Sequence, residues 1–100
     1  MITIKESNNF IKINGHANYD KYGKDIVCAS VSCVVITTLN ACLKINTKSI
    51  DYEQRQDTLL IEVLSNKKVI KKLIKNMMDL LEELASSYPK NVKVERLDND

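Results

Sequence analysis

Residues 15–28 read Gly15-His16-Ala17-Asn18-Tyr19-Asp20-Lys21-Tyr22-Gly23-Lys24-Asp25-Ile26-Val27-Cys28 and join a strand-like run to a long apolar helix. They contain the only histidine, both glycines and one of the three cysteines of the chain. Because glycine tolerates a positive φ and a close backbone approach, Gly15 and Gly23 favour a loop that folds back. Ordinary turns explain the two glycines equally well. If the loop folds back, His16 and Cys28 are the base and the nucleophile that thiol catalysis needs.

The hydrophobic pattern on both sides of this loop predicts a mixed α/β domain. Apolar residues alternate with polar ones before the loop, and they recur every three or four positions after it. The predicted elements are a hairpin over 2–14, helices over 25–44 and from Ser65 or Asn66 to 86, and strands over 49–54, 58–64 and 91–95. The order β-β-α-β-β-α-β predicts a two-layer α/β sandwich with a mixed or antiparallel sheet.

The first predicted helix is apolar over most of its surface, so we expect it to be buried on more than one side. Its many β-branched residues are weak helix formers, and burial must therefore hold it. In the second helix, one apolar stripe faces the core and comprises Ile70, Leu73, Ile74, Met77, Leu81 and Leu84.

Size and composition limit the classes of function. One hundred residues suit a single domain, and a net charge of +2 is too small to indicate nucleic-acid binding. No apolar run approaches the ~20 residues that cross a membrane, so no membrane association is expected. The odd cysteine count and the lack of a signal-like N-terminus indicate reduced thiols in the cytoplasm. One histidine, with no CxxC or HxxxH spacing, makes a zinc site improbable, and no cofactor is expected.

Cys28 is the thiol best placed for chemistry, because it falls in the first turn of the predicted helix. The positive end of a helix favours the thiolate, and its free N–H groups can face an oxyanion. A small cysteine that only packs against the core is the alternative. Cys33 and Cys42 have structural roles in this interpretation. On an intact helix Cys33 points ~140° away from Cys28 and Cys42 lies ~21 Å from it, so neither can form a disulfide with Cys28.

Two polar residues near Cys28 have two interpretations each. Asp25 is either the N-cap of the helix or a group that orients His16, as the third member of a triad does. Ser32 lies one turn after Cys28 on the same helix face, where it can hydrogen-bond the thiolate or a substrate carbonyl. The alternative is a buried serine that bonds back to its own helix. An exposed loop histidine is the alternative for His16.

The second helix begins with lysines and ends with acidic residues. This order opposes the helix dipole, so a purpose other than helix stability can explain it. A solvated face is the default interpretation, and a basic patch that meets an acidic or RNA-bearing partner is the alternative. The residues are Lys67, Lys68, Lys71, Lys72 and Lys75, followed by Asp79, Glu82 and Glu83.

The motif GHA at 15–17, followed by GxDIVCA at 23–29 and VS at 31–32, closely resembles the signature of the bacterial ribosomal-processing cysteine protease family. The resemblance implies one cysteine protease domain over 1–100, with Cys28 as nucleophile and His16 as base. It implies a cytosolic, typically homodimeric endopeptidase. The implied substrate is the N-terminal extension of a large-subunit ribosomal protein, cleaved near paired aromatic residues. Gly15, Gly23, Asp25 and Ser32 are supporting residues.

Two other functions fit the same residues. In the first, the chain is a noncatalytic ribosome-associated binding module, with the loop and the lysine-rich helix on a partner and Cys28 as packing. In the second, Cys28 is a redox sensor that forms an intermolecular disulfide. Thiol reactivity separates these hypotheses, because only an activated Cys28 alkylates faster than the other two thiols well below pH ~8.5.

Overall fold

Seven elements follow one another in the predicted order β-β-α-β-β-α-β. The structure is a computed structural model that describes residues 1–15 and 24–97, with the backbone alone at Lys24 and Asp25. The elements are β1 (Ile2–Ser7), β2 (Phe10–Asn14), α1 (Lys24–Ile45), β3 (Ile50–Arg55), β4 (Thr58–Val63), α2 (Lys68–Ser87) and β5 (Val92–Leu97). Each predicted element exists, with boundaries that differ by at most three residues.

The five strands form one sheet in the order β3-β4-β2-β1-β5. The β1–β2, β2–β4 and β3–β4 pairs are antiparallel, whereas β1 and β5 are parallel with Ile2 opposite Val92. The sheet is therefore mixed. A parallel pair requires a crossover connection, and the chain between β4 and β5 supplies one through α2.

One face of the sheet carries the core. Strand residues that alternate along the chain are buried on this face, including Ile4, Ile11 and Ile61. Residues in between, such as Lys5 and Lys12, are exposed. Both helices contribute side chains to the same core cluster, so they cover one face and leave the other open. This arrangement confirms the predicted two-layer sandwich.

Helix α1 differs from the sequence-based expectation in two respects. The run Ile26–Ile45 is 20 residues long and apolar enough to span a membrane, contrary to our expectation that no run approaches that length. Only 28% of its most apolar window is buried, so burial on more than one side is also wrong. A single stripe packs into the core and comprises Val27, Val31, Val35, Thr38, Leu39 and Cys42. Because this stripe packs into the core, α1 is a core helix, and its opposite face is exposed.

Helix α2 begins later than predicted. Its N-cap is Lys67, which makes no side-chain capping hydrogen bond, so Ser65 and Asn66 are not the cap. Ser65 instead accepts a hydrogen bond from the Lys67 N–H at 3.0 Å just before the helix begins. The predicted apolar stripe faces the core: Ile70, Ile74, Met77 and Leu81 are buried together with Met78. Leu73 and Leu84 are partly buried and pack against the same core.

Candidate active site

Cys28 is the fifth residue of α1, because the helix begins at Lys24. It therefore lies just beyond the first turn in which we had placed it. In an α-helix the N–H of the fifth residue bonds to the carbonyl of the first, so the Cys28 N–H is used inside α1. The Cys28 N–H is therefore not one of the free N–H groups that can face an oxyanion. The free N–H groups of α1 belong to residues up to Ile26.

The Cys28 side chain packs partly against the core and opens into a cavity of about 260 Å³. The cavity lies between α1, the end of β2 and the β3–β4 turn. Its lining is mainly apolar, with polar groups from α1 and from the β3–β4 turn. The residues are Ile13, Gly15, Cys28, Val31, Ser32, Val35, Ile36, Gln54, Gln56, Asp57 and Leu59. A thiol at the wall of an accessible, mostly apolar cavity is suited to meet a peptide substrate.

Gly15 forms the part of this wall from which the chain enters residues 16–23. Its φ is +95°, and its N–H donates a 3.0 Å hydrogen bond to the Asp57 carbonyl. A methyl group at Gly15 would overlap the Met1 carbonyl oxygen. This position therefore requires glycine both for its dihedral angle and for the close backbone approach. The last described residue before His16 is thus held rigidly beside the Cys28 cavity.

The β3–β4 turn contributes polar groups that the sequence analysis did not assign to the site. Gln54 donates through Nε2 to the carbonyls of Gln56 and Thr58 at 3.0 and 3.2 Å, which braces the turn. Gln56 has a φ of +49°. Thr58 donates to Asn14 Oδ1 at 2.9 Å and ties the turn to the end of β2. The turn was predicted, but only the β2–β4 pairing brings it to Cys28.

A second cavity of about 300 Å³ adjoins the first. Ile36, Gln54 and Leu59 line both cavities, and Tyr52 lies in the second. We call the two together the Cys28 groove. It lies between α1 and the strands β3 and β4, and its lining is mostly apolar.

The structure tests some of the predicted site residues. Ser32 is exposed and lines the cavity with Cys28, so the alternative of a buried serine is wrong. Ser30 makes the back-bond to its own helix, donating to the Ile26 carbonyl at 2.8 Å. Asp25 lies inside the first turn of α1, so it is not the N-cap. His16, Gly23 and the side chain of Asp25 lie outside the described residues, and their roles stay predictions.

The three thiols lie in different surroundings, and all are free of disulfides. Cys42 is fully buried, and this burial raises the pKa of its thiol. Cys33 is exposed in the single chain, so it does not pack into the core as Cys42 does. Among residues 1–15 and 24–97, no three His, Cys, Asp or Glu side chains are grouped as a metal site requires.

Residues 1–93 match the family model of the cysteine protease Prp. This chain belongs to the cysteine protease Prp family. Two curated relatives, the ribosomal processing cysteine protease Prp from two strains of Staphylococcus aureus, are each 27% identical over 85 residues. The match covers 82% of this chain and 80% of each relative.

Solved structures of Prp share the fold. A crystal structure of the S. aureus protease with a covalently linked product peptide has a TM-score of 0.84 at 24% identity, covering 97% of this chain and all of the other. A complex of the S. aureus protease with a substrate peptide has a TM-score of 0.81 at 21% identity, covering 96% and 97% of the two chains. Because it belongs to the Prp family, this protein is a cysteine protease. Cys28 lines the cavity between α1 and the β3–β4 turn.

Proposed function

We propose that this Prp-family protein removes the N-terminal extension of a large-subunit ribosomal protein during ribosome assembly. The observation that carries the proposal is that Cys28 and Gly15, the residue next to His16, line one cavity. The names of the S. aureus relatives, which are ribosomal processing proteases, support the substrate class. We place the reaction in the cytoplasm, because a thiol nucleophile must stay reduced.

In the proposed mechanism, His16 and Cys28 form a catalytic dyad. His16 takes the proton of the Cys28 thiol, and the thiolate attacks the scissile carbonyl carbon. When the tetrahedral intermediate collapses, the carbon–nitrogen bond breaks and His16 gives the proton to the leaving amine. Water, activated by His16, then hydrolyses the thioester and frees the acid product and the Cys28 thiol. The covalently linked product peptide in the S. aureus relative supports a covalent intermediate.

The Cys28 groove is the proposed site for the residues that flank the scissile bond. Its shared wall of Ile36 and Leu59 is apolar, and Tyr52 offers an aromatic face farther along. Large aromatic side chains bury the most apolar area per residue, which suits a cleavage site with paired aromatic residues. Ser32, exposed one turn from Cys28, is the proposed hydrogen-bond donor to a substrate carbonyl.

The test is cleavage of a peptide that spans the extension of the organism's own ribosomal protein. We expect Cys28→Ala to abolish cleavage, while Cys33→Ala, which changes an exposed thiol on the same helix, retains the native rate. Replacing the paired aromatic residues of the peptide by alanine should raise KM. Native-rate cleavage by Cys28→Ala would overturn the proposal. Binding without cleavage by the native protein would instead identify a noncatalytic module.

We also propose that the protein forms a homodimer through the outer face of α1. Exposed residues on this face are spaced three and four apart and form the outer seam, namely Ile26, Ala29, Cys33, Ile36 and Asn40. This spacing is that of a heptad a/d pattern, which packs against a helix with the same period. Ile26 is 63% exposed in the single chain, so a second copy would bury apolar surface there, whereas Ile36 lies where the seam meets the Cys28 groove and would stay partly open to substrate.

The oligomeric state tests this interface directly. Ala29→Glu and Cys33→Glu place charges in the outer seam without altering residues that line the Cys28 groove, so they should convert a dimer to a monomer. Thr47→Glu, in the exposed connection after α1, is the control with the same added charge. Light scattering after size exclusion gives the mass of each variant. A native monomer, or a dimer that both seam variants retain, would exclude this interface.

A further inference from the structure

Lysine side chains on the first half of α2 form one exposed face. Lys71 and Lys72 follow Lys68 by three and four positions along the helix, and Lys75 follows them by four and three. Their directions fall within about 100° of one another around the axis. All four are exposed, and we call them the lysine face. The positive charge of the lysine face adds to the positive potential at the N-terminus of α2. No acidic residue in the first turn offsets this charge.

Acidic residues that could neutralise this face are engaged elsewhere. Arg96 on β5 donates to Glu6, Asp79 and Glu82, each at 3.0 Å. Partial burial opposes the charge of Arg96, but these three hydrogen bonds outweigh it and raise the pKa of the guanidinium. Lys75 pairs with Asp79 at 3.2 Å.

The remaining three lysines of the face are uncompensated. Among residues 1–15 and 24–97, no ion pair reaches Lys68, Lys71 or Lys72. Like charges three and four apart on a helix destabilise it. The chain therefore keeps a repulsive cluster at the helix end where cations are least favourable, which is expected of a surface that binds an anion.

A cavity of about 220 Å³ continues the face toward the β1–β2 turn. Its lining includes Asn8, Asn9, Lys71, Lys75 and Arg96, together with Glu6, which is bonded to Arg96. Lysine ammonium groups and asparagine amides donate hydrogen bonds to phosphate and sugar oxygens. The cavity thus adds donors beside the lysine face, and its apolar lining consists of the buried residues Ile11, Val63 and Ile74.

We propose that the lysine face and the adjoining cavity bind the phosphate backbone of RNA. Protein interfaces usually have an apolar or aromatic centre with charges at the rim, whereas this face consists of lysines alone. Lysines on flexible stems suit sequence-independent contacts with phosphates. The choice of RNA rests on the proposed function, since a ribosomal substrate is assembled on RNA. From the small net charge we expected no nucleic-acid binding. That net charge conceals the lysine face, because acidic residues in the second half of α2 offset its positive charge in the sum.

Fluorescence anisotropy with a labelled RNA hairpin tests the proposal. The triple variant Lys68→Gln, Lys71→Gln and Lys72→Gln removes the uncompensated charges. The matched control, Lys12→Gln, Lys48→Gln and Lys90→Gln, removes three exposed charges elsewhere. We expect the face variant to bind about tenfold more weakly than the native protein, and the slope of log K against log salt to fall by about 2 to 3. The control variant should bind the hairpin within about twofold of the native affinity, because its three lysines lie outside the lysine face.

Equal losses in the two variants would overturn the proposal, because the effect would then follow total charge rather than the face. Displacement of the hairpin by polyglutamate as readily as by unlabelled RNA would also overturn it, in favour of an acidic protein partner. Peptide cleavage is measured in the same preparations. Both variants should cleave the free peptide at the native rate, so failure of RNA binding leaves the proposed protease function intact.

Discussion

Gly15 and Asp57 are joined by a backbone hydrogen bond of 3.0 Å that fastens the end of β2 to the β3–β4 turn. Both residues line the cavity into which the Cys28 side chain opens. The bond therefore fixes the point at which the chain departs toward His16 relative to the thiol. It links two segments that are distant in sequence, and it depends on a dihedral angle that glycine adopts without strain.

Replacing Gly15 by alanine should impair both stability and activity. The new methyl group would overlap the Met1 carbonyl, and alanine is strained at a φ of +95°. We expect a loss of about 1 to 3 kcal/mol in the free energy of unfolding. Urea denaturation measures this loss, and peptide cleavage should fall further than stability alone explains. Ser86→Ala, on the exposed side of α2, is the control and should change neither quantity. Native stability in the Gly15 variant would contradict the close approach to Met1.

The three thiols should alkylate in an order that exposure alone does not predict. Cys42 is buried with a raised thiol pKa, so it should react last in the folded protein. Exposure alone would place Cys33 before the half-buried Cys28. If Cys28 is the activated nucleophile, it should instead react first with iodoacetamide, and the difference should widen below pH ~8, where ordinary thiols are protonated.

Peptide mass mapping after timed labelling gives the rate for each cysteine. A rate that follows exposure, with Cys33 first at every pH, would count against an activated Cys28. A single product that couples two chains through Cys28 after mild peroxide would instead favour the redox sensor. The control is the same labelling in urea, where the three thiols should react alike.

Local patterns were sufficient to predict the elements of the fold. The alternation in β1 and β2 and the stripe of α2 are repeated over short windows, and each window carries its own burial signal. The strand order was beyond reach, because the parallel pairing of Ile2 with Val92 joins the two ends of the chain. Nothing in the sequence of either strand indicates which strand it pairs with.

The site was predictable to the extent that it lies in one continuous motif. Cys28 and Ser32 share a helix face by spacing alone, and the structure places both at one cavity. Gln54 and Asp57 were missed because the sheet pairing, rather than sequence proximity, brings their turn to the cavity. The exposure of Cys33 was missed for a related reason, since the apolar composition of α1 does not indicate which side the core covers.

Acid should weaken the contact between α2 and β5. Hydrogen bonds from Arg96 and Lys75 lower the pKa of Asp79. A carboxyl group with a lowered pKa in the folded state stabilises that state above its unfolded pKa of about 3.9, and this stabilisation is lost as pH falls below that value. Asp79→Asn should therefore lower the urea midpoint at neutral pH and reduce its dependence on pH under acid conditions. Asp51→Asn, on exposed β3, is the control. Identical acid profiles for the native and Asp79→Asn proteins would refute this contribution.

Replacing Lys68 by glutamate should stabilise the protein. Lys68 is the first residue of α2 after the N-cap, where a negative charge interacts favourably with the helix dipole. The change also removes repulsion with Lys71 and Lys72 and replaces it with attraction. Together we expect a gain of about 1 kcal/mol in the free energy of unfolding, measured by urea denaturation at low salt.

The control for this gain is Lys48→Glu, which makes the same charge change in the connection between α1 and β3. It should leave stability within about 0.5 kcal/mol of the native protein. Raising the salt concentration should shrink the difference between the two variants, because exposed charges are screened. If Lys68→Glu proves less stable than the native protein, the lysine is part of the packing of α2. If it proves more stable, the native lysine costs stability, as expected of a residue retained for binding.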